Sequence, residues 1–159
     1  MQTDTKPLIK PRTGLLSLVL ALVLAGITSC SINLVPSYDK EITSEVHTLM
    51  KDIDVFYLIM QEMPNDERHY DAFVEKYISI EADLHALYLR NKVRPLNEES
   101  TENCLIALEK WRKYKARHKE RDSLSDANIE LQNMYMHDLL YCILTAEEAK
   151  KGDTKTSDD

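Results

Sequence analysis

The chain has 159 residues, with 20 Lys+Arg against 27 Asp+Glu, a net charge of −7 and only 3 glycines. An acidic chain of this kind is a poor general nucleic-acid binder, and its length suits one buried core rather than several. Frequent Leu, Glu, Lys, Ala and Met, with few alternating strand-like runs, predict an all-α fold.

The first 13 residues hold Lys6, Lys10 and Arg12 against one acid, Asp4. From Gly14 to Ile27 the only polar side chain is Ser17. A basic start followed by a short apolar run is an export signal. The run falls short of the roughly 20 apolar residues needed to cross a bilayer. Directly after it come Ile27, Thr28, Ser29 and Cys30. This stretch resembles the lipobox of bacterial lipoproteins: an aliphatic residue, two small residues, then cysteine. The resemblance covers the first 30 residues and implies cleavage before Cys30, with a diacylglyceryl thioether, and often an acyl chain, on the new terminus. Two or more chains suit stable anchoring, because one holds a protein only reversibly. Ser31, rather than Asp, follows the cysteine, which by the sorting rule of such lipoproteins favours the outer membrane, on its periplasmic or surface side. Removal of residues 1–29 takes away three bases and one acid, leaving 17 Lys+Arg, 26 Asp+Glu and a net charge of −9.

Residues 30–37 then form a linker, of which 31–36, at ~3.4 Å per extended residue, reach about 20 Å. The helical domain is expected over 38–151, with a polar tail at 152–159. The first helix is expected at about 39–63. Its apolar positions Ile42, Val46, Leu49, Ile53, Phe56, Met60 and Met63 recur at alternating steps of four and three, a heptad stripe. Pro64 ends it. The second helix is expected at about 67–91, with the stripe Tyr70, Phe73, Tyr77, Ile80, Leu84 and Leu87. Folded back on the first, Met60 faces Tyr70, Phe56 faces Phe73 and Val46 faces Leu84, so every layer finds a partner. Further apolar residues (Val55, Leu58, Ile59, Val74, Ile78, Tyr88 and Leu89) widen both faces and call for more helices.

Pro95 breaks the pattern, and Asn97 is placed to cap a third helix at about 97–122. Cys104, Leu105, Leu108 and Trp111 supply its apolar face, which fades as charge takes over. A turn at Ser123–Asp126 leads into a fourth helix at about 126–150. Its apolar residues are Ile129, Leu131, Met134, Tyr135, Leu139, Cys142, Ile143 and Ala146, and Gly152 follows as a C-cap. The predicted architecture is an antiparallel, up-down-up-down four-helix bundle with short connections.

Three sets of residues are candidates for function. Cys104 and Cys142 fall at equal height on the third and fourth helices, so export to an oxidising compartment predicts a disulfide between them. The alternative is two free thiols used as small apolar residues. The run Lys110, Trp111, Arg112, Lys113, Tyr114, Lys115, Arg117, Lys119 and Arg121 concentrates bases and aromatics against one acid, Glu120. It predicts a docking patch for an acidic protein or envelope polymer, or else a solvated helix end. Because the first helix leaves the lipid, this segment is distal, about 30–40 Å from the membrane by helix rise. The five histidines are scattered. His47 and His85 share a height but fall beside the stripes, which places them at the surface, and Asp138 sits among apolar neighbours in the fourth helix.

No Glu-x-x-His pair, haem-attachment motif, phosphate loop or catalytic triad spacing occurs. No metal, cofactor or catalytic residue is therefore assigned, and the chain reads as a lipid-anchored binding module rather than an enzyme. Two further readings are a small-ligand carrier, with Tyr70, Tyr77, Tyr135, Met60 and Met134 lining an inter-helix cavity, and a structural spacer of the envelope.

Overall fold

The computed structural model describes residues 36–153, which lie within the second of the chain's two units, Leu34–Asp159. The lipobox, Cys30 and the last six residues of the tail lie outside the described residues. The described part is all-helical, with α1 at Lys40–Gln61, α2 at Val74–Lys92, α3 at Glu98–Arg121 and α4 at Asp126–Asp153, and with no strand. The packed pairs are α1–α2, α2–α3, α3–α4 and α4–α1. No helix among the described residues is long and apolar enough to cross a membrane.

α1 starts where expected. Asp39 caps it, its Oδ1 accepting from the Glu41 N–H at 2.8 Å. Its stripe is buried from Ile42 to Met60, joined by Tyr57. Burial of such side chains is worth roughly 1.5–3 kcal/mol each. The widening residues behave otherwise. Val55, Leu58, Ile59, Ile78 and Leu89 face outward, and Val74 and Tyr88 are half-buried.

The second helix begins seven residues later than its periodicity predicts. Two 3-10 turns, Asn65–Glu67 and Tyr70–Ala72, replace its first turns. The cause is Arg68, whose side chain is 3% exposed and folds back into the bundle end. Its guanidinium donates to the carbonyls of Met63 (2.9 Å), Leu124 (3.0 Å) and Gln61 (3.3 Å) and to Asp126 Oδ1 (2.6 Å). A buried guanidinium needs such acceptors, and the backbone leaves the helical region at Arg68 and His69 to provide them. Tyr70 and Phe73 keep their predicted places in the core, and the Phe56 and Phe73 rings meet at 6.0 Å.

The buried face of α3 is Ser100, Cys104, Ala107, Leu108, Trp111, Tyr114 and His118. It does not fade after Trp111. Asn97 precedes this helix but makes no side-chain cap; its amide instead donates to the backbone and side-chain oxygens of Asn91 at 3.1 and 2.8 Å. α4 is turned relative to expectation. Its buried residues are Ile129, Gln132, Met136, Leu140, Ile143, Glu147 and Lys150, while Leu131, Met134, Tyr135, Asp138 and Cys142 are exposed. The helix continues through Gly152 rather than ending before it.

That rotation removes the expected disulfide. Cys104 and Cys142 are both free, the first buried in the core and the second on the outer face of α4. Equal height on two helices does not suffice when the Cβ vectors point apart. Burial also raises the Cys104 thiol to about 12, so its nucleophilic thiolate is scarce. Iodoacetamide should alkylate Cys142 in the folded single chain, at high dilution, and reach Cys104 only after unfolding, as peptide mass spectrometry would record.

Candidate binding surface

The candidate surface is the C-terminal end of α3, called the far end; the near end is where residues 36–39 join α1. Helical spacing decides which members of the run Lys110–Arg121 reach solvent. Trp111, Tyr114 and His118 lie three and four residues apart and continue the inward stripe. Trp111 is completely buried, and its indole N–H donates to the Tyr77 carbonyl at 3.0 Å. Trp111 and Tyr114 therefore stabilise the core and offer no stacking surface to a partner. The signal was present in the 3–4 spacing and was masked by the bases between.

The bases divide into engaged and open ones. Arg112 donates to Glu81 Oε1 at 2.7 Å, and Lys115 pairs with Glu81 Oε2. Burial alone would raise the Glu81 carboxyl, but these two cations outweigh it and hold it below its ordinary value. Lys110 lies over the Tyr135 ring at 5.8 Å, and Lys119 over Tyr70 at 5.9 Å, both within cation–π range. Lys113, Arg117 and Arg121 are exposed and make no ion pair among the described residues. The surface thus reduces to Lys113, Arg117, Lys119 and Arg121, with the neighbouring Asp122 already occupied. Asp122 accepts from the Tyr70 N–H at 2.8 Å and meets His69 at 3.0 Å.

Beneath this surface lies a histidine that sequence reasoning left among surface residues. His118 is fully buried, its Nε2 2.8 Å from the Arg68 carbonyl and its Nδ1 3.1 Å from the Tyr77 hydroxyl. A carbonyl only accepts, so Nε2 carries the proton and Nδ1 accepts from Tyr77. Burial pushes the His118 pKa below its ordinary value, against smaller opposing effects of the Arg68 carbonyl and Asp122. The folded state thus binds fewer protons here than the unfolded chain. Stability is complete above about pH 6.5, the unfolded value, and declines below it toward the folded value, by at most about 1.4 kcal/mol per pH unit. Urea unfolding from pH 7.5 to 5.5 should show this decline, and His118→Gln, which keeps a donor and an acceptor, should flatten it.

The other histidines are peripheral. His47, His69 and His85 are exposed, and half-buried His137 meets Asp54 at 2.8 Å. No group of His, Cys, Asp and Glu able to hold a metal occurs among the described residues. The residues expected to line a ligand cavity are not brought together: Met60, Tyr70 and Tyr77 are packed in the core, while Met134 and Tyr135 face outward.

The near end holds a second polar cluster, also missed. Glu147 and Lys150 are buried and 2.6 Å apart, and Arg94 reaches Glu147 at 3.0 Å. Lys150 also donates to Asn97 Oδ1 at 2.8 Å and lies 3.3 Å from Ser100 Oγ. Glu147 accepts from the Asp39 N–H at 2.6 Å, and Arg94 donates to the Ser37 carbonyl. The start of α1 is therefore clamped to the α2–α3 turn and to α4. Every cation in this cluster is engaged, in contrast to Lys113, Arg117 and Arg121 at the far end of α3.

No family model matches the chain, and no match was found among curated proteins or solved structures.

Proposed function

We propose that the chain is a lipid-anchored module of the cell envelope, an up-down-up-down four-helix bundle that binds an acidic macromolecule through the far end of α3. The single observation that carries the binding reading is the set Lys113, Arg117, Lys119 and Arg121, exposed and without acid partners in a chain of net charge −7. Concentrated like charge costs self-repulsion and favours a partner of opposite sign. The lipobox-like stretch ending at Cys30 supports the anchor. Contacts of Arg90 with Glu41 and Glu45, of Tyr57 with Gln132 and of Lys150 with Asn97 support the helix directions. In this arrangement the clamped start of α1 faces the membrane and the basic end projects away from it, toward an acidic protein or an anionic envelope polymer.

The test is capture from an envelope extract by the purified chain. Lys113→Glu/Arg117→Glu/Arg121→Glu should abolish capture, and wild-type capture should weaken steeply with salt. All three positions are exposed, so the fold should survive, as circular dichroism would check. Equal capture by wild type and variant would overturn the reading.

A further inference from the structure

Like α1, which turns Val55, Leu58 and Ile59 outward, α4 is apolar on two sides. Its inner side packs in the core, while its outer side exposes Leu131, Met134, Tyr135, Tyr141 and Cys142. The four large side chains among these are 45–62% exposed. A helix that is apolar all round is normally covered all round, and a contiguous exposed apolar patch of a few hundred Å² marks an interaction surface. The outer positions recur at 131, 134–135, 138 and 141–142, which is the 3–4 alternation of a helix-packing seam.

Two charges decide what covers this seam. Asp138 is the charged residue at its centre, exposed and without an ion pair among the described residues. Lys110 of α3 lies over the Tyr135 ring, one turn from Asp138, and likewise has no ion pair. One turn from Lys110 toward the near end, exposed Ile106 falls at the height of Tyr141 and Cys142. The α3–α4 face therefore presents an acid on one helix, a base at nearly the same height on the other, and apolar side chains on both. Such a surface is complementary to itself.

We infer that the α3–α4 face is the interface of a two-fold homodimer, with α4 of each copy packed on α3 of the other. In a two-fold contact each pairing occurs twice. Asp138 of each copy meets Lys110 of the other, and Tyr141 and Cys142 meet Ile106. The two bundles point the same way along the axis, which brings both near ends to the same side. Arg117, Lys119 and Arg121 lie beyond Leu131 toward the far end and stay open, whereas Lys113, one turn from Lys110, falls within the height of the seam, so the interface is separate from the binding surface at those three residues.

The test is sedimentation equilibrium of the full chain in density-matched non-ionic detergent at tens of micromolar. The expected mass is that of two chains. Asp138→Lys and Lys110→Asp should each weaken the dimer about tenfold, since each disturbs two pairs at once. The double variant Asp138→Lys/Lys110→Asp should restore wild-type association. These residues are exposed or half-exposed, and unchanged circular dichroism would confirm folding. A monomeric wild type, or a double variant no better than the single ones, would overturn the dimer. An Arg117→Glu/Arg121→Glu variant, which leaves the seam untouched, should lose most envelope capture yet sediment as a dimer, which distinguishes failure of one surface from failure of the other.

Discussion

Glu147→Leu should remove about 3–5 kcal/mol of stability, the cost of leaving a buried charge without its partner. Glu147 is the hub of the near end. It accepts from the two Nη atoms of Arg94 at 3.0 and 3.1 Å, from Lys150 at 2.6 Å and from the Asp39 N–H at 2.6 Å. Burial disfavours its ionised form, but the hydrogen bonds from Arg94, Lys150 and Asp39 outweigh that and hold its carboxyl below the ordinary range. With leucine in place, Lys150 stays 6% exposed with no anion beside it. Arg94 loses its carboxylate as well, and the start of α1 is released from α4. Guanidinium chloride unfolding at pH 7 would measure the loss, and a change under about 1 kcal/mol would contradict the account. Replacing the cluster together, with Glu147→Leu, Lys150→Met and Arg94→Met, should recover much of the stability, because no charge is then stranded. The pH dependence has a definite sign. A carboxyl depressed in the folded state contributes fully above its unfolded pKa, about 4.3. That contribution is lost as pH falls through the folded value. This loss begins near pH 4.3, whereas that of His118 begins near pH 6.5, so the two start at different pH.

Trp111→Ala should cost about 3–5 kcal/mol, the usual range for emptying a large aromatic site in a core. Trp111 touches Phe56 at 5.3 Å, Tyr57 at 6.1 Å and Tyr77 at 5.2 Å between ring centroids. These rings come from α1, α2 and α3, so no single helix can shift to fill the space. The variant also removes the indole's bond to the Tyr77 carbonyl, a contribution of about 0.5–1.5 kcal/mol, since that carbonyl still accepts within α2. Trp111→Phe should cost less, retaining ring packing but not that bond. Far-UV circular dichroism is the suitable probe, because Trp111 is the only tryptophan. In the wild type its emission should be blue-shifted and insensitive to iodide. Ready quenching in the folded protein would place the indole at the surface and restore the docking role that the fold denies it.

Much of the architecture is legible in the chain itself. The stripes of α1 and α2 name their buried residues almost completely, because each is built from side chains whose apolarity and spacing agree. Pro64, Pro95 and the Ser123–Asp126 turn mark the breaks to within a few residues. The exception is the start of α2, where Arg68 pulls the backbone out of helix by bonding carbonyls at Gln61, Met63 and Leu124. No local pattern encodes a side chain whose acceptors lie in two different loops.

α3 and α4 were harder to read for the same reason. Their inward positions include Ser100, His118, Gln132, Glu147 and Lys150, which an apolarity pattern assigns to the surface. These residues are buried with partners far along the chain: Tyr57 for the side-chain oxygen of Gln132, Arg94 for Glu147 and Tyr77 for His118. With them discounted, the apolar residues of α4 point to the wrong side of the helix, and Cys142 is drawn into the core beside Cys104. Helix number, height along the axis and the basic character of the far end were determined by sequence alone, since they depend on spacing and formal charge. Rotation of each helix about its axis was decided only by tertiary structure, because it depends on which polar groups find partners. That rotation separates the cysteines, buries Trp111, and leaves the outer seam of α4 facing solvent.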